Sequence, residues 1–178
     1  MIEILDAVPN DAEEILAIYA PDDRDTAISF EHEVPTLENF RTRIINTLKK
    51  FPYVKAVNKI ENENNKIVGY AYAGEFKPRK SYEISCEVSI YVQKNFRGHG
   101  VGRLLYNELE KKLKTLGILN MYACVAYPEV EDEYLTRNSL NFHEHLGFKI
   151  AGHFTNCAKK FGRFYSMVWL EKQVGVRK

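Results

Sequence analysis

The feature that most constrains the fold is a stretch of glycine-spaced backbone between an apolar segment and an amphipathic one, residues 88–105. The pattern predicts a strand, a short loop and then a helix. Gly98, Gly100 and Gly102 lack side chains that would keep a ligand from the backbone. Several N–H groups of the first helical turn lack intrahelical partners, and the helix start carries a partial positive charge of roughly half a unit. The segment therefore predicts an anion site, most simply one for phosphate.

Two common phosphate-binding patterns can be excluded on the letters alone. A dinucleotide fingerprint that starts at Gly98 would need a third glycine where the chain has Arg103, and no G-x-x-x-x-G-K-[ST] motif is present. The spacing that does occur is Arg97-x-x-Gly100-x-Gly102. Arg97 at its start and Arg103 directly after it place a positive charge on each side of the glycines. The alternative interpretation is an ordinary strand-to-helix turn without a ligand.

Length and composition limit the classes of protein to consider. The chain has 178 residues, of which 45% are hydrophobic and 28% charged, and its net charge is +1. These values predict one domain over residues 1–178, with neither nucleic acid nor a membrane as a partner. No apolar run approaches the ~20 residues of a transmembrane helix, and the N-terminus does not resemble a signal peptide.

The cysteines indicate the compartment. Cys86, Cys124 and Cys157 are odd in number and far apart, and no C-x-x-C pair occurs. This pattern favours reduced thiols in a cytoplasmic protein, and we expect all three to fill core positions.

Hydrophobic periodicity predicts the element order β-α-α-β-β-β-α-β-α-β-β, which indicates an α/β mixed sheet with helices on both faces. The predicted strands are Ile2–Ala7, Tyr53–Ile60, Lys66–Phe76, Tyr82–Val92, Leu119–Tyr127, Phe148–Phe154 and Phe164–Glu171. The predicted helices run from Asn10 or Asp11 to near Pro21, from Thr36 to Lys49, from Gly100 to Leu116, and over Thr136–Leu146. Segment Asp22–Pro35 is predicted to be a loop, and Glu61–Asn65 a hairpin turn.

Two of these elements carry more detailed predictions. In the strand that ends at Val92, Glu87, Ser89 and Tyr91 share one face, and apolar residues share the other. The helix that follows has an apolar stripe predicted to face the core. Its members are Val101, Leu104, Leu105, Leu109, Leu113 and Leu116.

Several separate motifs resemble the GNAT superfamily of acetyl-CoA-dependent N-acetyltransferases, and in particular the phosphinothricin type. The resemblance runs from about Ile18 to Trp169. Besides the glycine loop, its pieces are Thr26–Pro35, Gly69–Gly74, Glu87–Val92, His143–Phe148 and Lys160–Arg163. It implies the GNAT fold, a mixed and mostly antiparallel sheet of about seven strands. It also implies a homodimer that transfers acetyl from acetyl-CoA to a small amine.

The resemblance also implies where acetyl-CoA binds. Its contacts fall on one strand end and on the glycine loop: Ile90, Tyr91, Val92, Arg97, Gly98, His99, Gly100, Val101, Gly102 and Arg103. Thr136 stands where the family often has Asn, while the family Ser is kept as Ser139; both are candidates for pantetheine contact.

The amine must lose a proton before it attacks a thioester. Glu87 matches the family's general base, and its alternative interpretation is a surface or salt-bridged carboxylate. His143 matches a family position from which the leaving thiolate is protonated, and an imidazole titrates near neutral pH. Its alternative interpretation is a structural helix histidine. No metal site is predicted, because His143 and His145 point to nearly opposite sides of a helix.

The acceptor is predicted from the same resemblance. Arg79 and Tyr82 lie where the family reads the acceptor's anionic groups, and Phe30 and Glu31 are candidates for lining its pocket. Arg79 is equally interpretable as a solvated loop charge. Tyr70, Tyr72 and Trp169 are assigned to the core.

The predicted activity is acetylation of a small primary amine, such as phosphinothricin, methionine sulfoximine or methionine sulfone, by direct attack in a ternary complex. One alternative acceptor is a peptide N-terminus. Another is a polyamine or aminoglycoside, for which the acidic segment Glu129–Glu133 could line a cleft. A third alternative is an acetyl-CoA-binding module without turnover.

Overall fold

The computed structural model describes residues 1–59 and 65–176. Seven strands and four α-helices alternate in the predicted order. The strands are β1 (Ile2–Asp6), β2 (Tyr53–Asn58), β3 (Lys66–Glu75), β4 (Ser85–Val92), β5 (Asn120–Tyr127), β6 (Lys149–Lys160) and β7 (Arg163–Gln173). The helices are α1 (Ala12–Asp25), α2 (Leu37–Leu48), α3 (Val101–Thr115) and α4 (Asn138–His145). The predicted hairpin turn Glu61–Asn65 falls almost entirely outside the described residues.

The strands form one sheet in the order β1-β2-β3-β4-β5-β7-β6. Every neighbouring pair is antiparallel except β4 and β5, which are parallel. The prediction of a mixed, mostly antiparallel seven-stranded sheet is confirmed.

The parallel pair is short and then opens. Ser85, Cys86 and Glu87 pair with Asn120, Met121 and Tyr122. Beyond these residues β4 continues to Val92 on β3, and β5 continues to Tyr127 on β7, but the two strands no longer pair with each other. A wedge-shaped gap therefore opens in the middle of the sheet.

Helices cover both faces of the sheet, as predicted. On one face, α3 and α4 pack on the main core, which includes Leu105 and Leu109 of α3 and Val88 of β4. On the other face, α1 and α2 pack on a second core, represented by Ile15 and Ile44. Thr36 caps α2 as predicted, since its hydroxyl accepts from the N–H of Asn39 at 3.2 Å.

Helix α1 does not end near Pro21, and the predicted loop from Asp22 is helical as far as Asp25. Proline removes one helix hydrogen bond, so compensating contacts are needed. The next two residues supply them: buried Asp22 pairs with Arg97 at 2.7 Å, and buried Asp23 lies 3.5 Å from Lys160. These partners are distant in the sequence, so local pattern could not reveal them.

Other differences are smaller. Residues 80–82 form a 3-10 turn, so β4 begins at Ser85 rather than at Tyr82. Helix α4 begins at Asn138 rather than at Thr136, and β6 extends to Lys160. Of the predicted α3 stripe, Leu104 and Leu116 are exposed.

The cysteines divide differently from the prediction. Only Cys86 is buried, whereas Cys124 and Cys157 are exposed, and all three are free thiols. No helix in residues 1–59 and 65–176 combines the length and the apolar character needed to cross a membrane.

Candidate active site

The gap between β4 and β5 forms a cleft that opens toward α4. Ser89, Ile90 and Tyr91 of β4 form one wall, and residues 123–126 of β5 form the other. Ser139 and His143 of α4 also line it. Four residues predicted at separate points of the sequence, Ile90, Tyr91, Ser139 and His143, are thereby brought to one cavity.

The loop before α3 is shaped by Arg97. Its Nε donates to the carbonyl of Val92 at 2.8 Å, and its Nη2 donates to both carboxylate oxygens of Asp22 at 2.7 Å. His99 adds a contact of 2.9 Å between its Nδ1 and the Arg97 carbonyl. The Arg97 guanidinium is therefore already occupied by a carboxylate, and it ties the loop to α1.

Helix α3 starts at Gly100, whose φ of +81° is favourable only for glycine. No side chain caps the helix. Within the described part of the chain, the N–H groups of Val101, Gly102 and Arg103 have no hydrogen-bond partner. The first turn therefore presents free donors, as expected for an anion site.

The other residues of the glycine loop have distinct roles. The side chain of Val101 is buried in the core, and that of Arg103 is exposed. A Cβ on Gly102 would lie 2.8 Å from the ring of Phe142, so this glycine is required for α3 and α4 to approach each other. Gly98 also has a positive φ, of 78°.

Glu87 lies at the apex of the wedge, as the last residue of β4 that pairs with β5. Its side chain stands on the sheet face opposite α3, which is the face that the strand alternation predicts. Burial raises the pKa of the Glu87 carboxyl above its ordinary value, and the positive charge of Lys77 partly offsets this. A half-buried carboxylate with a raised pKa is a suitable proton acceptor near neutral pH.

His143 is only 3% exposed and is held by two hydrogen bonds. Its Nδ1 lies 2.7 Å from the carbonyl of Ser139, which can only accept, so Nδ1 carries the proton. Its Nε2 therefore accepts from the Tyr106 hydroxyl at 2.9 Å. Burial lowers the pKa of His143. The imidazole lines the cleft in its neutral form and joins α4 to α3.

The predicted acceptor residues separate into two groups. Phe30 and Glu31 line a second cavity, between α1, α2 and the sheet. Arg79 and Tyr82 belong instead to the 3-10 turn before β4, where both are exposed, and Tyr82 packs edge-on against Phe76 at 5.9 Å. They line neither cavity.

Thr136 precedes α4, and its hydroxyl contacts the backbone two residues later. It accepts a hydrogen bond from the N–H of Asn138 at 3.4 Å. Val92, the last of the predicted strand-end residues, packs at the edge of the main core.

The sequence analysis missed three residues that hold predicted site residues in place: Asp22, Tyr106 and Arg43. Asp22 holds Arg97, Tyr106 holds His143, and Arg43 pairs with Glu31 at 2.8 Å. Each acts through a residue in a different element of the structure, so no local spacing marks it. Across residues 1–59 and 65–176, no group of three or more His, Cys, Asp or Glu is placed to hold a metal ion.

Comparison with known proteins gives consistent matches. Residues 4–169 match the profile of the acetyltransferase (GNAT) domain. The chain is similar to the phosphinothricin N-acetyltransferase of Streptomyces coelicolor, with 28% identity over 171 residues, 96% of this chain and 95% of that protein. It is also similar to an L-methionine sulfoximine/L-methionine sulfone acetyltransferase of Pseudomonas aeruginosa, with 29% identity over 105 residues, 59% of this chain and 57% of that protein.

Among solved structures, the chain resembles a GNAT superfamily phosphinothricin acetyltransferase from Sinorhizobium meliloti in complex with AcCoA. The TM-score is 0.86 and the identity 27%, covering 98% of this chain and 89% of that chain. The folds therefore correspond over nearly the whole length.

The burial of His143 has a consequence for stability that can be measured. Because the pKa of the folded imidazole is lowered, the unfolded chain binds a proton at higher pH than the folded chain does. The contribution of His143 to the free energy of unfolding is therefore complete above about pH 6.5 and is lost as the pH falls through that value. His143→Gln keeps a donor and an acceptor but cannot titrate. We expect it to flatten the pH dependence of the denaturation midpoint between about pH 7.5 and about pH 5.

His145→Gln is the matched control, because His145 is on the same helix but exposed. It should retain the wild-type pH dependence. An unchanged slope in His143→Gln would contradict the assignment of a buried neutral imidazole.

Proposed function

The chain belongs to the acetyltransferase (GNAT) family, and on that premise we propose that it moves the acetyl group of acetyl-CoA to the primary amine of a small amino-acid-like acceptor. As a member of this family it is an N-acetyltransferase. The observation that carries the proposal is the wedge between β4 and β5, with the free N–H groups of α3 at one end and Glu87 at its apex.

Acetyl-CoA is the co-substrate that fits this wedge. Beyond Glu87, the edge of β4 that faces β5 has no strand partner, so the backbone of residues 88–92 can bind an extended amide chain such as pantetheine. The first turn of α3 supplies donors and a positive dipole end for the pyrophosphate. Arg97 shapes this loop through Asp22 and Val92, and exposed Arg103 adds a charge at its entrance.

In the reaction that we propose, Glu87 accepts a proton from the acceptor ammonium, directly or through water. The neutral amine then attacks the thioester carbonyl, the C–N bond forms and the C–S bond breaks. The thiolate of coenzyme A leaves and takes up one proton. No acyl-enzyme intermediate is involved, so both substrates are bound together.

The leaving thiolate needs a proton, and His143 lines the cleft close to where it departs. Both imidazole nitrogens are engaged, by Ser139 and by Tyr106. Delivery of a proton by His143 therefore requires the Tyr106 contact to open first. While the hydrogen bond between Tyr106 and His143 is intact, His143 holds the cleft wall in place and solvent supplies the proton.

The acceptor class is supported by the contacts that the acidic segment Glu129–Glu133 makes within the protein. The carboxylates of Asp132 and Glu133 bind Arg163 at 2.8–2.9 Å, and Glu129 accepts from Ser166 at 2.6 Å. Glu131 accepts from the backbone N–H of Arg137 at 2.6 Å. These contacts use the carboxylates that a polyamine would need, so they favour an amino-acid acceptor.

Several broader features belong to the same proposal. We take the chain to act as one domain, in the cytoplasm, as a homodimer and without a metal. Arg79 and Tyr82 are proposed to meet the acceptor's anionic group from the 3-10 turn that leads into β4. Phe30 and Glu31 approach from the loop after α1.

Thiol release from acetyl-CoA over a panel of amines tests the proposal. We expect turnover with phosphinothricin, methionine sulfoximine and methionine sulfone above that with spermidine, an aminoglycoside or an alanine-terminated peptide. Turnover confined to the polyamine or the peptide would overturn the acceptor class, and coenzyme binding without any turnover would identify a binding module.

Glu87→Gln keeps the shape of the side chain and removes its basicity. General-base contributions amount to roughly 10²–10⁴-fold, so kcat should fall by about that factor near neutral pH while the KM for acetyl-CoA is retained. Since burial raises the pKa of Glu87, the wild-type rate should fall as the pH drops through that raised value. Glu83→Gln, at an exposed position four residues earlier, is the control and should behave as wild type. A nearly unchanged kcat in Glu87→Gln would mean that another group is the base.

Gly100→Val tests the pyrophosphate site. A side chain here would fill the space that a phosphate needs, so the KM for acetyl-CoA should rise by about tenfold or more, equivalent to roughly 1.4 kcal/mol of binding. Gly117→Val is the control for backbone strain, because Gly117 has φ +79° at the other end of α3 and equally open surroundings. Equal effects of the two variants on the KM would contradict the site.

A further inference from the structure

The cavity between the sheet and helices α1 and α2 has a feature that the proposed reaction does not use. Four tyrosines line its sheet side: Tyr53 of β2, Tyr70 and Tyr72 of β3, and Tyr91 of β4. The cavity has a volume of about 360 Å³ and is partly open to solvent. This is in the range of pockets that bind small molecules. We call it the tyrosine pocket.

The four rings form a parallel array. Tyr53 is the cross-strand partner of Tyr72, and Tyr70 that of Tyr91. The ring centroids are 4.9 Å apart in the first pair and 5.3 Å apart in the second, with interplanar angles of 14° and 21°. Because parallel rings stand on one sheet face, their hydroxyl groups are carried to the same side, away from the strands and toward the cavity.

Two of these tyrosines are buried, but their hydroxyl groups have no protein partner among the described residues. Tyr53 is 3% exposed and Tyr70 1% exposed, yet neither makes a hydrogen bond to any residue in the described ranges. Among those residues, only Nε of Arg41 is a side-chain polar atom that is both inaccessible to solvent and without a hydrogen bond. The two hydroxyl oxygens, which also lack a hydrogen bond, must therefore keep a small accessible surface, and it faces the cavity. Buried tyrosine hydroxyls are usually hydrogen-bonded, so these two are available to a ligand.

The pocket offers neutral donors rather than a net charge. Burial raises the pKa values of Tyr53 and Tyr70 well above the ordinary value, so both hydroxyls keep their protons. The carboxylate at the rim, Glu31, is neutralised by Arg43 at 2.8 Å and accepts from Tyr19 at 2.8 Å. A ligand group rich in hydrogen-bond-accepting oxygens fits these donors better than an ammonium group does.

The tyrosine pocket lies next to the reaction centre. Tyr91 lines both this pocket and the cleft between β4 and β5. Tyr72 is the cross-strand partner of Ser89, which lines the cleft. Burial raises the pKa of Tyr72, and the charge of Glu87 contributes to this rise. A molecule with its amine at Glu87 can therefore extend its other end toward Tyr53 and Tyr70.

We propose that the tyrosine pocket is the subsite for the acceptor's side chain, and that Tyr53 and Tyr70 donate hydrogen bonds to oxygens at its far end. The groups that fit are a sulfone, a sulfoximine or a phosphinate on an unbranched chain, with the chain itself against the aromatic rings. The assignment rests on the proposed function. In this assignment the tyrosines bind the side-chain oxygens of the acceptor, and the exposed residues Arg79 and Tyr82 bind its carboxylate.

Two substrates and one double variant test the subsite. Methionine sulfone carries the side-chain oxygens, and norleucine has a chain of similar length without them. Tyr53→Phe/Tyr70→Phe removes the two hydroxyls and keeps the rings. We expect kcat/KM for methionine sulfone to fall by about tenfold or more, as for the loss of two neutral hydrogen bonds, with kcat/KM for norleucine unchanged. Tyr127→Phe, at a tyrosine outside both cavities, is the control and should leave both values unchanged.

Thermal unfolding gives a second readout. Hydroxyls without a protein partner do not stabilise the free enzyme, so the double variant should have a Tm equal to or above that of the wild type. The increase in Tm that methionine sulfone produces in the wild type in the presence of coenzyme A should be lost. A lower Tm without ligand would mean that the hydroxyls stabilise the fold, and would overturn the proposal.

The outcomes separate this proposal from the function on which it rests. If the wild type acetylates amino acids and the double variant loses equal activity on both substrates, or none on either, the subsite is wrong and the function stands. If the wild type acetylates no amino acid, both are wrong. The single variant Tyr70→Phe gives the same comparison should the double variant fail to fold.

Discussion

The short parallel pairing of β4 with β5 is the constraint on which the rest of the structure depends. Three residue pairs hold the strands together, and beyond Glu87 each strand follows a different antiparallel neighbour. Past Glu87 the two strands diverge, so the edge of each that faces the gap has no strand partner. An unpaired backbone edge is normally a liability, because its N–H and C=O groups need partners. Here it lies beside the free N–H groups at the start of α3, so an amide-containing, phosphate-bearing co-substrate can satisfy both.

Two adjacent aspartates connect this gap to the loop that carries Phe30 and Glu31. Negative charges near the C-terminal end of a helix oppose its dipole, and buried carboxylates are costly unless they are paired. Asp22 and Asp23 are tolerated because Arg97 reaches the first and Lys160 the second. Lys160 also donates to the Ser29 carbonyl at 2.7 Å. The end of α1 thereby holds the glycine loop, the β6 terminus and the loop that carries Phe30 and Glu31 in one arrangement.

The two faces of the sheet differ in whether their buried polar side chains have hydrogen-bond partners. On the α3 side, aliphatic residues fill the space and His143 has both of its polar partners. On the α1 side, the stacked residues Tyr53 and Tyr70 have hydroxyl groups with no hydrogen-bond partner among residues 1–59 and 65–176. Phenylalanine would supply the same rings without buried polar groups, so the hydroxyls are a cost to the fold. Such a cost is typical of functional sites, where stability is exchanged for binding.

Local pattern determined much of this protein: the order of the eleven main elements, the face of β4 that carries Glu87, the cap at Thr36, and the strand–glycine–helix turn. Each depends on neighbours within a few residues, where periodicity and backbone preference decide. Tertiary structure alone decided that α1 continues past Pro21, that Arg97 is held by Asp22, and that Tyr70, which is buried in the core as predicted, also lines a cavity. These outcomes depend on partners up to 137 residues apart, as for Asp23 and Lys160. A local pattern specifies which side of a strand or helix a residue occupies, but the residue's contacts there are set by elements that the pattern does not include.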